Sequence, residues 1–348
     1  MEYRTLGGSG VQVSTLCLGA MMYGPAGNND EAECAAMTHK ALDAGINFID
    51  TADRYSMGTS EEIVGRAIKG RRDNVVVATK FYGPMGDDIN MQGGSRRWVT
   101  QAVEDSLRRL DTDYIDLYQM HRPDPRTDFG DTLAALTDLV RAGKIRMIGT
   151  STFPAELIVE GQWAAERRSL ERVRCEQPPY SIFTREIERS VLPTCLTYDV
   201  GVIVWSPLNG GWLTGKYRKN ADWPDNSRAT RNLVSAKRWD RDNPVVAHKL
   251  DLVEELDALA TEVGCSMATL AYAFTLAHPA VTSTIIGPRT PQQLDAALED
   301  PDLRLSDEVL DRIDDLVPPG TDLNPDDAFY IPPAVSNPAL RRRICHPS

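Results

Sequence analysis

The chain has 348 residues, 42% of them hydrophobic and 25% charged, the composition of an ordinary globular protein with enough apolar mass for a large core. Its net charge of −12 argues against a nucleic-acid partner, which calls for a basic stripe, yet it leaves room for a small anion held by a few local cations. No apolar run is long enough to span a membrane, and Met1-Glu2-Tyr3-Arg4 lacks the basic-then-apolar layout of a signal peptide. The six cysteines, at positions 17, 34, 175, 195, 265 and 345, include no CxxC pair and do not cluster with histidine. Buried thiols in a reducing, cytoplasmic compartment are therefore expected, rather than disulfides or metal ligands.

Taken in order, residues 2–13 read as a β-hairpin turning at Gly7-Gly8-Ser9-Gly10. A strand–helix unit then repeats. Leu16-Cys17-Leu18 is a short strand, followed by a helix from about Asp30 that Gly45 closes. The strand 46–50 ends on Asp50, and Thr59-Ser60-Glu61-Glu62 has the form of a capping box opening the next helix. The strand 75–80 ends on Lys80 and leads to a helix near 95–110. The strand 114–120 ends at His121, and the strand 145–150 ends at Ser151. Later strands, 173–176, 202–204 and 282–286, end at Gln177, at Trp205-Ser206 and at Gly287.

Eight strands separated by helical segments demand a parallel sheet, and eight units favour closure into a (β/α)8 TIM barrel over an open doubly wound sheet. The open sheet usually carries GxGxxG after its first strand, and that motif is absent. One domain is expected across 1–348, with its barrel core at about 16–300 and an irregular tail at 319–348. Residues 206–243, after the seventh barrel strand, form a polar loop too long for a mere connector, and a functional role is expected for it.

Strand C-terminal ends converge on one face of such a barrel, so Asp50, Tyr55, Lys80 and His121 are expected to share a pocket. Singly each has an ordinary explanation: a turn aspartate, a packing tyrosine, a solvated lysine, a satisfied histidine. Together they suit the protonation of a carbonyl oxygen. Lys80, held by Asp50, is expected to lower the pKa of Tyr55 and make it a usable acid, and His121 to orient the carbonyl. No side chain is an obvious nucleophile for the carbon, and a nicotinamide hydride would serve.

Ile46-Asn47-Phe48-Ile49-Asp50-Thr51-Ala52 with Tyr55, together with Lys80 and His121, resembles the Asp-Tyr-Lys-His signature of the aldo-keto reductases, a likeness running from Leu16 to about Leu298. The resemblance implies a barrel that reduces small aldehydes or ketones with NADP(H), with Tyr55 as general acid, Lys80 and Asp50 tuning it, and His121 binding the carbonyl. It implies that Ser151, Thr152 and Gln177, with Asp50, Ala20 and Met21, surround the nicotinamide, on whose ring Trp205 stacks. Ser206, Pro207, Leu208 and Gly210 would lie along the pyrophosphate, with Lys216 and Arg228 near its charges. Gly287 and Arg289 would take the 2′-phosphate, and Gln293 the adenine. Thr152 stands where relatives often have Asn or Arg, and Ala296 and Ala297 stand where they often have Glu and Asn.

The sequence also resembles the β subunits of voltage-gated potassium channels, which share the fold and hold the cofactor while regulating a partner. His121 favours an enzyme, since relatives of that type carry Asn there. A barrel hydrolase would need a metal cluster or a serine elbow, and the sequence has neither. Met21, Tyr23, Phe81, Tyr82 and Phe153 follow strand ends, and an aromatic wall suited to aromatic or alicyclic carbonyls is expected from them. The sequence does not specify an oligomeric state.

Overall fold

The computed structural model describes residues 1–231 and 236–340. It opens on an antiparallel hairpin of β1 (Tyr3–Thr5) and β2 (Gln12–Ser14). Eight parallel strands then close into a barrel: β3 (Leu16–Gly19), β4 (Phe48–Asp50), β5 (Val76–Phe81), β6 (Ile115–Met120), β7 (Ile145–Ser151), β8 (Val173–Gln177), β9 (Gly201–Val204) and β10 (Val281–Ile286). Each strand pairs with its neighbours in chain order, and β10 pairs back onto β3, so no edge is left open. This is the (β/α)8 barrel with an N-terminal hairpin that the strand count implies.

Helices α1 (Glu31–Asp43), α2 (Thr59–Ala67), α3 (Arg96–Leu110), α4 (Phe129–Arg141), α5 (Ala155–Arg168) and α6 (Val191–Tyr198) cover the successive strands. They are followed by α7 (Pro244–Val263), α8 (Met267–Ala277), α9 (Pro291–Ala297), α10 (Asp307–Leu316) and the short α11 (Pro333–Ser336). Several begin where the sequence supplies a cap: the side chains of Asp30, Ser95, Asp128, Asn243 and Ser266 each accept from a first-turn N–H. The capping box expected at Thr59 does not form. Gly58 is the N-cap and Thr59 is already helical. Ser60 Oγ donates to the Ala20 carbonyl at 2.7 Å, and Glu61 is wholly buried against Thr79 and Arg109. Tertiary partners claim the side chains that a free helix would use for its own end.

Alternation along the strands divides the barrel into two cores. Outward residues such as Ile49, Tyr118 and Ile148 join the helices in the outer shell. Inward residues Cys17, Phe48, Ala78, Leu117, Met147, Cys175, Ile203 and Ile285 fill the lumen, and Leu6 and Val13 of the hairpin plug it from below. One inward step further along, Asp50, Lys80, Gln119 and Gln177 form a buried polar layer. The site is built on that layer.

Of the cysteines, Cys17, Cys34, Cys175 and Cys195 are buried free thiols and Cys265 is partly exposed; Cys345 lies outside the described residues. Among the described residues, no single helix is long and apolar enough to cross a membrane. The loop after β9 is ordered by its own aromatic cluster, in which Trp212 stacks on Trp239 at 5.0 Å with Tyr217 and Trp223 against them.

Candidate active site

Asp50, Lys80 and Gln119 enter the lumen from the adjacent strands β4, β5 and β6, with Lys80 opposite Gln119 and two residues beyond Ala78, the register partner of Asp50. Lys80, with no exposed surface, donates to Asp50 Oδ2 at 2.6 Å, to the Thr51 carbonyl at 2.8 Å and to the Tyr55 hydroxyl at 3.2 Å. The other carboxylate oxygen of Asp50 accepts from Gln177 Nε2 at 2.8 Å and from Gln119 Nε2 at 3.3 Å. Gly149, beside Gln119 on β7, leaves the space this arrangement needs, since a Cβ there would stand 2.8 Å from Gln119 Cγ. His121 sits edge-on to Tyr55, with ring centroids 5.9 Å apart. The four residues singled out in the sequence therefore meet in one place.

Their electrostatics differ in one respect from expectation. Burial would depress the Lys80 ammonium, but the Asp50 and Tyr55 charges and hydrogen bonds outweigh it and hold Lys80 above the ordinary amine range. Tyr55 is raised, not lowered: burial pushes it up further than Lys80 pulls it down. The phenol is thus held protonated at neutral pH, with a cation 3.2 Å away to receive the charge it would leave behind. Burial, aided by Lys80, Arg122 and Arg54, keeps the His121 imidazole well below the usual range and hence neutral.

Around this centre, Ser151 Oγ donates to the Gln177 carbonyl at 2.9 Å, and both residues are buried. Gln177 spends its amide N–H groups on Asp50 and Gln119, and its Oε1 has no hydrogen-bond partner among the described residues. Thr152 (φ 59°) and Ser206 (φ 60°) both take the left-handed conformation at strand ends, strain of the kind that collects at functional sites. Ala20 is wholly buried with its carbonyl engaged by Ser60, while Met21 beside it is exposed. Trp205 carries a buried indole N–H with no partner among the described residues, and Phe329 from the C-terminal tail packs edge-on against its ring at 5.2 Å.

From Ser206 the chain passes Pro207 and Leu208 to Gly210 (φ 71°) and Gly211 (φ 102°), conformations that favour glycine. Arg228 Cδ lies over Gly210 and Lys216 Nζ over Gly211. Arg289, beyond β10, donates to Asn226 of the long loop at 3.1 Å, and Arg231 of that loop donates to the Ala26 carbonyl at 3.2 Å. The loop thus straps the groove between the ends of β3 and β10. Lys216 is held below the usual amine range by dehydration and by the charges of Arg228 and Arg289; burial does the same to Arg228 and Arg289, with Arg231 adding to both. Among the described residues none of these four cations forms an ion pair with a carboxylate, in a chain of net charge −12. At Gly287 a Cβ would meet nothing within 4 Å, so the groove is open there. Gln293 Oε1 is turned onto the Arg289 N–H at 2.8 Å, and Ala297 is buried while Ala296 faces outward.

The aldo/keto reductase family model matches residues 15–318. The chain belongs to that family. Reductases of this family generally reduce small carbonyl compounds with NADP(H). Several relatives are similar over nearly their whole length. An uncharacterized oxidoreductase, YrpG, of Bacillus subtilis is 40% identical over 329 residues, covering 91% of this chain and 96% of that one. A probable voltage-gated potassium channel subunit beta of Oryza sativa is 37% identical over 325 residues, with 91% and 97% covered. The versiconal hemiacetal acetate reductase of Aspergillus parasiticus is 35% identical over 340 residues, with 90% and 96% covered.

The expected aromatic wall of this reductase-family site is largely absent. Tyr23 is buried with its hydroxyl on Thr38, Phe81 stacks on Tyr118 at 4.8 Å, and Phe153 packs on Phe129 in the outer shell. Phe81 lies one strand step out of phase with lumen-facing Lys80 and so points to the helices, Tyr23 and Phe153 are loop residues packed against that outer layer, and only Met21 and Tyr82 of the five remain at the surface. Conversely, sequence reasoning passed over Gln119, two residues before His121 and so on the same face, which strand alternation alone would reveal. It also passed over Arg122, Arg231 and Phe329, whose placement depends on loops.

Proposed function

We propose that this chain reduces an aldehyde or ketone to an alcohol with NADPH, using Asp50, Tyr55, Lys80 and His121. The observation that carries the reading is the chain from buried Asp50 and Lys80 to half-buried Tyr55 beside a neutral His121, opening toward a groove whose cations form no ion pair with a carboxylate among the described residues. Ser151, Thr152, Gln177 and Trp205 would hold the nicotinamide, Ser206 to Gly210 with Lys216 and Arg228 the pyrophosphate, and Gly287, Arg289 and Gln293 the adenosine end. Their fit rests on a Gln177 Oε1 without a hydrogen-bond partner and cations without a carboxylate, both among the described residues, and on the open space at Gly287. Bound there, NADPH would supply the hydride that attacks the carbonyl carbon.

The protein's own residues do the rest. His121, neutral, donates an N–H to the carbonyl oxygen and sets its direction. Tyr55 gives its proton to that oxygen as negative charge builds on it, and the resulting phenolate is met by the Lys80 ammonium. Asp50, fixed by Gln119 and Gln177, keeps Lys80 charged and in place. The preference for NADPH over NADH rests on Arg289.

Fluorescence titration with NADPH and NADH, followed by addition of 4-nitrobenzaldehyde, tests the reading. Tighter binding of NADPH and its oxidation by the aldehyde are expected. Relatives named as potassium channel β subunits give a second reading, a cofactor-holding regulatory subunit with little turnover. NADPH binding without oxidation across a broad carbonyl panel would favour it.

A further inference from the structure

The carbonyl end of the site carries a cation that the reaction above does not use. Arg122 follows His121 directly. Its Nη1 donates to the His121 carbonyl at 2.6 Å and lies 3.5 Å from Ser151 Oγ, and its guanidinium stands 5.8 Å from the centre of the Trp205 ring. Among the described residues no hydrogen bond engages its Nε or Nη2, and it forms no ion pair with a carboxylate. Burial lowers its pKa, the mark of a guanidinium that has lost water without gaining a counter-ion.

Glu176 is the carboxyl nearest in electrostatic effect, and it does not neutralise Arg122. It faces the helix layer from β8, where its oxygens accept from Thr150 Oγ1 at 2.5 Å and from the Phe153 N–H at 3.0 Å. Burial pushes it up to about 7 despite those donors, so much of it is uncharged at neutral pH. A second guanidinium, Arg54, also forms no ion pair with a carboxylate among the described residues; it donates to the Pro84 carbonyl, and its charge, like that of Arg122, is felt at His121. The mouth of the carbonyl site is therefore positive in an acidic protein, and the Nε–Nη2 edge of Arg122 is free to take two oxygens side by side. That edge matches a carboxylate.

We propose that Arg122 is a specificity-determining residue that binds the carboxylate of an oxo-acid substrate, a molecule whose reducible aldehyde or ketone and carboxylate lie a few bonds apart. The proposal rests on the reductase reading of the site and names its substrate class. Held by the Arg122 fork beside Trp205, the carboxylate would leave the carbonyl oxygen to Tyr55 and His121.

The test compares 4-carboxybenzaldehyde with methyl 4-formylbenzoate, an acid and its neutral ester, with each rate divided by that of the same aldehyde's reduction by borohydride to remove the ester's greater intrinsic reactivity, in the wild type, Arg122→Gln and Arg122→Lys. NADPH affinity is measured alongside. In the wild type, kcat/KM for the acid is expected to exceed that for the ester by about tenfold or more, mostly through KM. Arg122→Gln should bring that ratio close to one, and Arg122→Lys should restore part of it while confirming that the fold tolerates the change. Equal use of acid and ester by the wild type would overturn the assignment. So would a parallel loss on both substrates in Arg122→Gln with weakened NADPH binding, which would give Arg122 to the cofactor. Ester reduction without acid preference defeats this inference alone, whereas failure of NADPH-loaded wild type to reduce either aldehyde defeats the reductase reading as well.

Discussion

The two ends of the site are built on opposite electrostatic plans. At the tetrad the charges are satisfied within the protein: Asp50 receives Lys80, Gln119 and Gln177, and Lys80 spends its three protons on Asp50, Thr51 and Tyr55. In the groove, burial and neighbouring cations, Arg231 among them, depress Lys216, Arg228 and Arg289, and none of the four has a carboxylate partner among the described residues. A self-satisfied network is rigid before anything binds, which suits a group that must present a proton at a fixed point. A frustrated cluster of cations gains most when an anion arrives, which suits a place where affinity is needed. Chemistry and binding are thereby assigned to different ends of one cleft.

The largest effect should come from breaking the satisfied end. Lys80→Met leaves Asp50 buried without its cation, and a loss of about 3–5 kcal/mol in stability is expected, together with loss of turnover. Asp50→Asn combined with Lys80→Met should recover much of the stability and none of the activity. Denaturant unfolding of the wild type and the two variants checks this; a double variant no more stable than Lys80→Met would mean that the pair does not compensate itself.

At the frustrated end, Arg289→Leu should weaken NADPH binding by about 10–100-fold while leaving NADH nearly unchanged, since one charge-assisted contact to a phosphate is lost. The salt dependence of NADPH affinity should flatten in the same variant. Equal losses for both cofactors would move the 2′-phosphate away from Arg289.

A smaller effect is expected from an exception on the tetrad's own loop. Asp53 is fully buried, and among the described residues neither of its carboxylate oxygens has a well-formed hydrogen-bond partner. Burial, with help from Glu61, pushes its pKa from 3.8 up to about 8. The folded protein therefore holds this proton while the unfolded chain releases it, so stability is lost as pH rises from about 4 to about 8 and is flat above. Asp53→Asn should unfold at a higher temperature than wild type at pH 8, by an amount worth about 1–3 kcal/mol, and the gap should shrink toward pH 5. Parallel pH profiles of the two proteins would show that Asp53 is not the group responsible.

The barrel was legible in the sequence because its signals are local. Apolar strands at regular spacing, each ended by a polar residue, place Asp50, Lys80, His121, Ser151 and Gln177 on one rim without further information. What escaped depends on contacts between distant segments. Whether Phe81 or Lys80 points into the lumen follows from strand phase, yet the loop residues Tyr23 and Phe153 had no phase to follow and proved to be core. The Thr59 cap looked sound locally and lost to tertiary partners. Nothing local marks Phe329, brought to Trp205 by the tail: Asp327 is clamped by Lys249 at 2.5 Å and by Arg238, and Lys249 also holds Asn209 at 2.8 Å. The direction of the Tyr55 shift was missed for a similar reason, since the presence of a lysine is visible in a sequence and the depth of burial is not.

The most direct test of the central claim is single-turnover oxidation of pre-bound NADPH by 4-nitrobenzaldehyde, wild type against Tyr55→Phe, with cofactor binding measured in both. The account expects both proteins to bind NADPH alike and the wild type to oxidise it. The variant, keeping the ring but lacking the proton, should be slower by about 10²–10⁴-fold. Equal oxidation rates in the two proteins would contradict it, because the proton would then come from somewhere other than Tyr55.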